Sequence, residues 1–106
     1  MSNCSILILT KNEALDLPGC LKSVQWSNDI VVYDSFSTDR TISIASRAGA
    51  RVIQRPGQDP EIAFGGDEAC HRTWGIREIQ YKNPWLFVID ADERLTPEAA
   101  VELQAI

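Results

Sequence analysis

A chain of 106 residues, 44% of them apolar, holds one domain with a real core, near the lower end of comfortable domain size. Its formal net charge of -5 argues against nucleic acid as a partner and leaves no basic stripe for a membrane, so an anionic ligand would need help, most simply from a metal ion. Cys4, Cys20 and Cys70 form neither a C-x-x-C pair nor an even disulfide set. No secretory leader precedes the first strand and no apolar run reaches spanning length, so a reduced, cytoplasmic protein is expected.

Residues 4–9 form a short apolar run that reads as a buried first strand, closed by the polar loop Thr10-Lys11-Asn12-Glu13. Leu15, Leu17, Leu21 and Val24 follow at helical spacing, with Pro18 tolerable in the first turn. A second strand is expected over 29–34, through Ile30-Val31-Val32-Tyr33 and into Asp34. Thr38 is positioned to cap a helix over 39–48, with Gly49 where a left-handed C-terminal residue is wanted. A third, short strand covers 51–54. Pro56, Gly57, Asp59, Pro60, Gly65 and Gly66 then interrupt any period, so 55–66 reads as a long loop. A helix over 67–80 leads to the fourth strand, Trp85-Leu86-Phe87-Val88-Ile89, which runs into Asp90-Ala91-Asp92-Glu93. Thr96 and Pro97 mark one more helix start. That helix reaches Ile106 in mid-pattern, through Val101 and Leu103, so the chain reads as truncated, with a further surface or a homodimer covering this end.

Strands alternating with helices predict an α/β fold of three layers, α/β/α, with a mostly parallel sheet. Ligands in such folds bind outside the carboxyl ends of the strands. Three polar loops converge there: residues 10–13, the loop after Asp34, and Asp90 with Asp92. Alternate residues of an extended strand point the same way, so Asp90 and Asp92 can face one crevice together. Two such carboxylates suit a hard divalent cation.

The ordered set of motifs resembles the family-2 glycosyltransferases of GT-A fold. Ile6-Leu7-Ile8-Leu9-Thr10-Lys11-Asn12-Glu13 is similar to the family's opening strand and loop. Asp34-Ser35-Phe36-Ser37-Thr38-Asp39-Arg40-Thr41 is similar to its acidic-serine loop, and Asp90-Ala91-Asp92-Glu93-Arg94 to its D-x-D segment. Within the family the likeness is to the branch that builds lipopolysaccharide core. The resemblance implies a Rossmann-like GT-A domain of which residues 1–106 are the nucleotide-sugar-binding half, in an inverting transferase that moves a sugar from a nucleoside-diphosphate donor, a UDP-sugar foremost, to a glycan or lipid-linked acceptor. It further implies Mg2+ or Mn2+ on Asp92, with Asp90 as a ribose or water-mediated metal contact. Thr10 and Glu13 would line the base pocket, Asp34 with Ser35 would meet the base, and Arg72 would reach the base or a phosphate. The catalytic general base would lie beyond Ile106, and the parent would work at the membrane's inner face, peripherally associated with it. Two positions depart from the family pattern: Ser35 stands where many relatives carry a second acid, and Phe36 where the branch usually carries glycine.

Each residue also has a plainer reading. Asp39 suits a helix dipole. His71, the single histidine, lacks partners at zinc-ligand spacing and reads as a surface or pocket-rim residue. Trp26, Trp74 and Trp85 read as packing groups, Cys20 and Cys70 as small buried fillers, and Glu93 with Arg94 as a solvated local pair. A dinucleotide fold would ask for G-x-G-x-x-G after the first strand, which is absent, as is a P-loop. A dehalogenase-type phosphatase would place its aspartates after the first strand. The rival from a different class is a non-catalytic nucleotide-sugar-binding or protein-interaction module.

Overall fold

The four strands are all parallel in the order β3-β2-β1-β4, with β1 Cys4–Thr10, β2 Ile30–Asp34, β3 Arg51–Ile53 and β4 Trp85–Asp90. This is a computed structural model, and it describes residues 3–106. The helices are α1 Leu17–Val24, α2 Thr41–Arg47, α3 Glu68–Glu78 and α4 Pro97–Gln104, with a 3-10 turn at Ala63–Gly66. Every residue of β1 is buried, because it pairs on both edges and is covered on both faces. On one face Ile6, Ile8 and Val32 pack with Leu17, Cys20, Leu21 and Val24 of α1 and Ala45 of α2. On the other, Leu7, Leu9, Val31 and Tyr33 pack with Trp74 of α3 and with Ile79 just after it. The expected three-layer parallel architecture is therefore the observed one.

Boundaries differ for local reasons. α1 begins at Leu17, because the Leu17 and Asp16 N–H groups both donate to the Glu13 carbonyl in a tight turn, and Leu15 is left 92% exposed. Thr38 does not cap α2. Its N–H donates to Asn12 Oδ1 at 2.7 Å, and the helix starts at Thr41. Asp67 caps α3 by accepting from Cys70 N, and Thr96 caps α4 by accepting from Ala99 N, with Pro97 at the first helical position.

Several side chains sit elsewhere than expected. His71 is fully buried, not at a rim: its ring stacks on Tyr33 at 4.0 Å and 7°. Cys70 is exposed at the start of α3, while Cys20 is buried as expected. Trp85 is 59% exposed at the head of β4, an edge strand that pairs only with β1, so it is not a core group. Trp26 and Trp74 do pack against the two cores. Glu93 and Arg94 are not a local pair; each holds the acidic turn in a different way, described below.

Candidate functional site: the crevice at the strand ends

Strand order reverses at β1, with β2 and β3 to one side and β4 to the other, and such a switch point is where open α/β sheets hold ligands. Register sets the neighbours there: Thr10 lies beside Asp34, and Leu9 beside Asp90. The loop after β1 and the loop after β2 are laced together. Asn12 N donates to Ser37 Oγ at 2.7 Å, Glu13 N to Thr41 Oγ1 at 2.9 Å, Ala14 N to Asp39 Oδ2 at 3.2 Å, and Lys11 Nζ to the Phe36 carbonyl at 3.0 Å. Asn12 and Phe36 adopt left-handed backbone at φ 53° and 55°. The second value explains why glycine would suit position 36: the turn needs positive φ, which phenylalanine adopts only under strain.

The predicted site residues divide into two groups. Thr10, Asp34 and Ser35 are buried and face inward. Asp34 accepts from Thr10 Oγ1 at 2.7 Å, from Ser37 Oγ at 2.6 Å, from Ser37 N at 2.8 Å and from Gln54 Nε2 at 3.3 Å. Ser35 Oγ accepts from Phe64 N at 2.8 Å and is paired with the Gln58 amide. Glu13, Arg72, Asp90 and Asp92 instead reach solvent at the crevice.

Arg72 lies 3.6 Å from Asp90 and 3.6 Å from Glu68, bringing α3 to the end of β4. Both ion pairs are about half exposed and worth at most about 1 kcal/mol; their value is placement. Loss of hydration pushes the Asp90 carboxyl above its ordinary range; Arg72 opposes this, while Glu93, Asp92 and Glu68 add to it. Glu13 is raised likewise, by burial first and then by Asp92, Asp16, Asp39 and Asp90. The crevice is thus a field of carboxylates that repel one another. Asp92 is exposed, and no hydrogen bond or ion pair engages its carboxylate among the described residues.

These groups fit a hard divalent cation in one specific way. Among the described residues no three His, Cys, Asp or Glu side chains close on a common point, so the protein supplies no complete cage. One or two carboxylates completed by phosphate and water oxygens is the arrangement Mg2+ commonly takes. A cavity of about 550 Å³ between α1 and α2 is lined by Pro18, Leu21, Lys22, Ile30, Ile44 and Arg47, among others, and by none of these carboxylates. Charge and strand topology, not cavity size, mark the crevice.

Three connections were invisible to local sequence patterns. Arg94 reaches back to Asp16 at 3.8 Å and donates to the Ala91 and Glu93 carbonyls at 3.2 and 3.0 Å. Glu93 Oε1 accepts from Asp90 N at 2.8 Å. Cys20 Sγ donates to the Asp90 carbonyl at 3.6 Å, and burial pushes its thiol up to about 11, so it stays a protonated donor.

The glycosyl transferase family 2 profile matches residues 5–105. The chain belongs to that family. A relative, an uncharacterized glycosyltransferase of Rickettsia bellii, is 35% identical over 103 residues, covering 96% of this chain and 32% of its own length. A lipopolysaccharide core biosynthesis glycosyltransferase of Rhizobium meliloti is 34% identical over 92 residues, covering 86% of this chain and 32% of its own length. The chain thus spans about a third of the length of the curated relatives it matches. Among solved structures, glucosyl-3-phosphoglycerate synthase from Mycobacterium tuberculosis, in complex with Mn2+, UDP and glucosyl-3-phosphoglycerate, superposes with a TM-score of 0.67. Identity there is 21%, over 88% of this chain and 36% of the synthase, and the likeness shows the GT-A fold. No helix of the described residues is long and apolar enough to cross a membrane.

Proposed function

We propose that residues 1–106 are the donor-binding half of a family 2 glycosyltransferase, which takes a nucleoside-diphosphate sugar, a UDP-sugar foremost, and passes the sugar with inversion to a glycan or lipid-linked acceptor. The observation that carries this reading is Asp92: an exposed carboxylate that no hydrogen bond or ion pair engages among the described residues, in the turn after β4 at the switch point, two residues beyond the Asp90 that Arg72 faces at 3.6 Å. A divalent cation, Mg2+ or Mn2+, held by Asp92 with Asp90 beside it, would supply Lewis-acid stabilisation of the departing diphosphate. Arg72 sits where its fork of donors reaches a phosphate or the base. Glu13 edges the same crevice. Asp34 can meet a base N–H by releasing Gln54, the longest of its four bonds at 3.3 Å, while Thr10 and the Ser37 pair keep it in place; Ser35 fixes the loop beside it. The general base that takes the acceptor's proton is not assigned to any residue of this chain. Similarity to the Rhizobium meliloti protein supports a role in lipopolysaccharide or cell-surface polysaccharide synthesis, in the cytoplasm at the membrane's inner face.

Calorimetric titration with UDP, in Mn2+ and then in chelator, tests the reading. Binding that requires Mn2+ and vanishes in Asp92→Ala, with unchanged thermal stability, is expected, because an exposed strand-end carboxylate contributes little to packing. Equal UDP affinity in wild type and Asp92→Ala would refute the metal assignment.

A further inference from the structure

The turn after β4 is tied down at every residue but one. Asp90 and Glu93 bond each other reciprocally: Glu93 N donates to the Asp90 carbonyl at 2.9 Å, and Asp90 N donates to the Glu93 carboxylate at 2.8 Å. Ala91 is buried in the core under α1, and its carbonyl accepts from Arg94 Nη1. Leu95 N donates to Ser23 Oγ at 3.1 Å, which fastens the far end of the turn to α1. Among the described residues, no hydrogen bond or ion pair engages the Asp92 carboxylate.

Arg94 closes this arrangement by lying flat on α1. A Cβ built on Gly19 would stand 2.7 Å from the guanidinium carbon and 2.7 Å from Nη2, so the side chain occupies the space that glycine leaves. From there it bridges two carbonyls of the turn to Asp16, at the N-terminal end of the same helix. Nothing in α1 itself requires glycine at position 19, because its backbone is not among the positive-φ residues. The position is small to seat Arg94.

We propose that Arg94, seated on Gly19, is a positioning residue that holds the acidic turn so that Asp92 stands free at the crevice. The proposal rests on the donor-site reading above, since it concerns how Asp92 is presented. It makes a prediction that an ordinary packing role does not. The atoms a Gly19 methyl would meet are the far end of a flexible side chain, so Gly19→Ala expels Arg94 without moving backbone, and alanine is the better helix former. Fold stability and metal binding should therefore part company.

The test compares wild type, Gly19→Ala, Arg94→Ala and Asp92→Ala by thermal melting, by UDP titration in Mn2+ and in chelator, and by amide hydrogen exchange. Gly19→Ala is expected to melt at or above the wild-type temperature and to bind UDP in Mn2+ about tenfold more weakly, the scale on which partners behind a metal ligand act. Its Glu93 and Leu95 amides should exchange faster, while those of β1 and β2 keep their protection. Arg94→Ala, which leaves Gly19 untouched, should reproduce the binding and exchange changes. Wild-type Mn2+-dependent affinity in both variants, or wild-type protection at Glu93 and Leu95, overturns the proposal. If UDP binding ignores chelator and Asp92→Ala alike, the donor-site reading itself fails, and the two failures are told apart by the Asp92 variant.

Discussion

Acidification should weaken the fold through His71, and by a calculable amount. The ring is fully buried between Tyr33, stacked at 4.0 Å, and Phe64 at 5.3 Å, and its Nε2 has no hydrogen-bond partner among the described residues. Burial, helped by the nearby Arg55 charge, lowers its pKa from 6.5 to about 4. The unfolded chain therefore takes up a proton as pH falls below 6.5 and the folded chain does not until about 4. Stability from this group is complete above pH 6.5 and is lost as pH falls across that interval. At about 1.4 kcal/mol per pH unit the loss amounts to roughly 3 kcal/mol, a large share of the roughly 5–15 kcal/mol a domain this size has in total. Carboxylates contribute in both directions. Glu13 and Asp90, whose pKa values are raised, regain stability on protonation, whereas Asp29 and Asp39, whose values are lowered, lose it. His71→Phe removes the titrating imidazole together with the pH-independent bond between its Nδ1 and the Tyr33 hydroxyl at 3.1 Å, while the aromatic stack persists and that hydroxyl keeps the residue-71 carbonyl it bonds at 3.0 Å. Urea unfolding of both proteins at pH 7, 6, 5 and 4 isolates the difference, which should grow to roughly 3 kcal/mol in favour of the phenylalanine variant. Parallel pH profiles would refute a neutral, sealed His71.

Gly75→Ala should lose about 1–3 kcal/mol by overpacking, read as a lower urea midpoint, because its Cβ would stand 2.7 Å from the buried Tyr33 ring, on which His71 stacks at 4.0 Å; an unchanged midpoint would mean that the ring can slide. Asp29 is buried, and although burial pushes its carboxyl up, Lys82 N, Ser5 and Arg51 together hold it below its usual range. Asp29→Asn should cost about 3 kcal/mol in the same assay, since it leaves Arg51 and at least one donor unmatched; a cost under about 0.5 kcal/mol would place Asp29 among ordinary surface positions.

What was legible in the sequence was whatever a short window determines. The runs through Ile6–Leu9 and Val31–Tyr33 are apolar on both faces, which only a strand covered twice requires, and both are buried central strands. Thr96 with Pro97 carries its own cap, so α4 starts where expected. His71 was misplaced because its burial depends on Tyr33, 38 residues earlier. A local signal existed all the same: His71, Gly75 and Ile79 recur every four residues and all are buried, which marks the inner face of α3. Arg94 had no such signal. Its partners Asp16 and Gly19 lie on a helix separated from it by most of the chain, and nothing at 93–95 distinguishes a solvated pair from a clamp.

Two aspartates end neighbouring parts of one sheet edge, and their surroundings give them opposite characters. Asp34 closes β2 in the sheet interior, and its loop turns back over it, so its lone pairs are filled by Thr10, Ser37 and Gln54 before any ligand arrives. Burial of that polar group is offset by the donors that surround it. Asp92 lies two residues past the end of β4, where the turn is satisfied by Glu93, Arg94 and Ser23, and no donor is left for it. A carboxylate can be kept unpaired only where water reaches it, so the fold places it at the rim and uses its neighbours to fix the backbone beneath. The same arrangement that denies Asp92 an internal partner leaves its carboxylate open to an external one, and the neighbouring carboxylates, which add to burial in raising Glu13 and Asp90, suit the cation proposed for it.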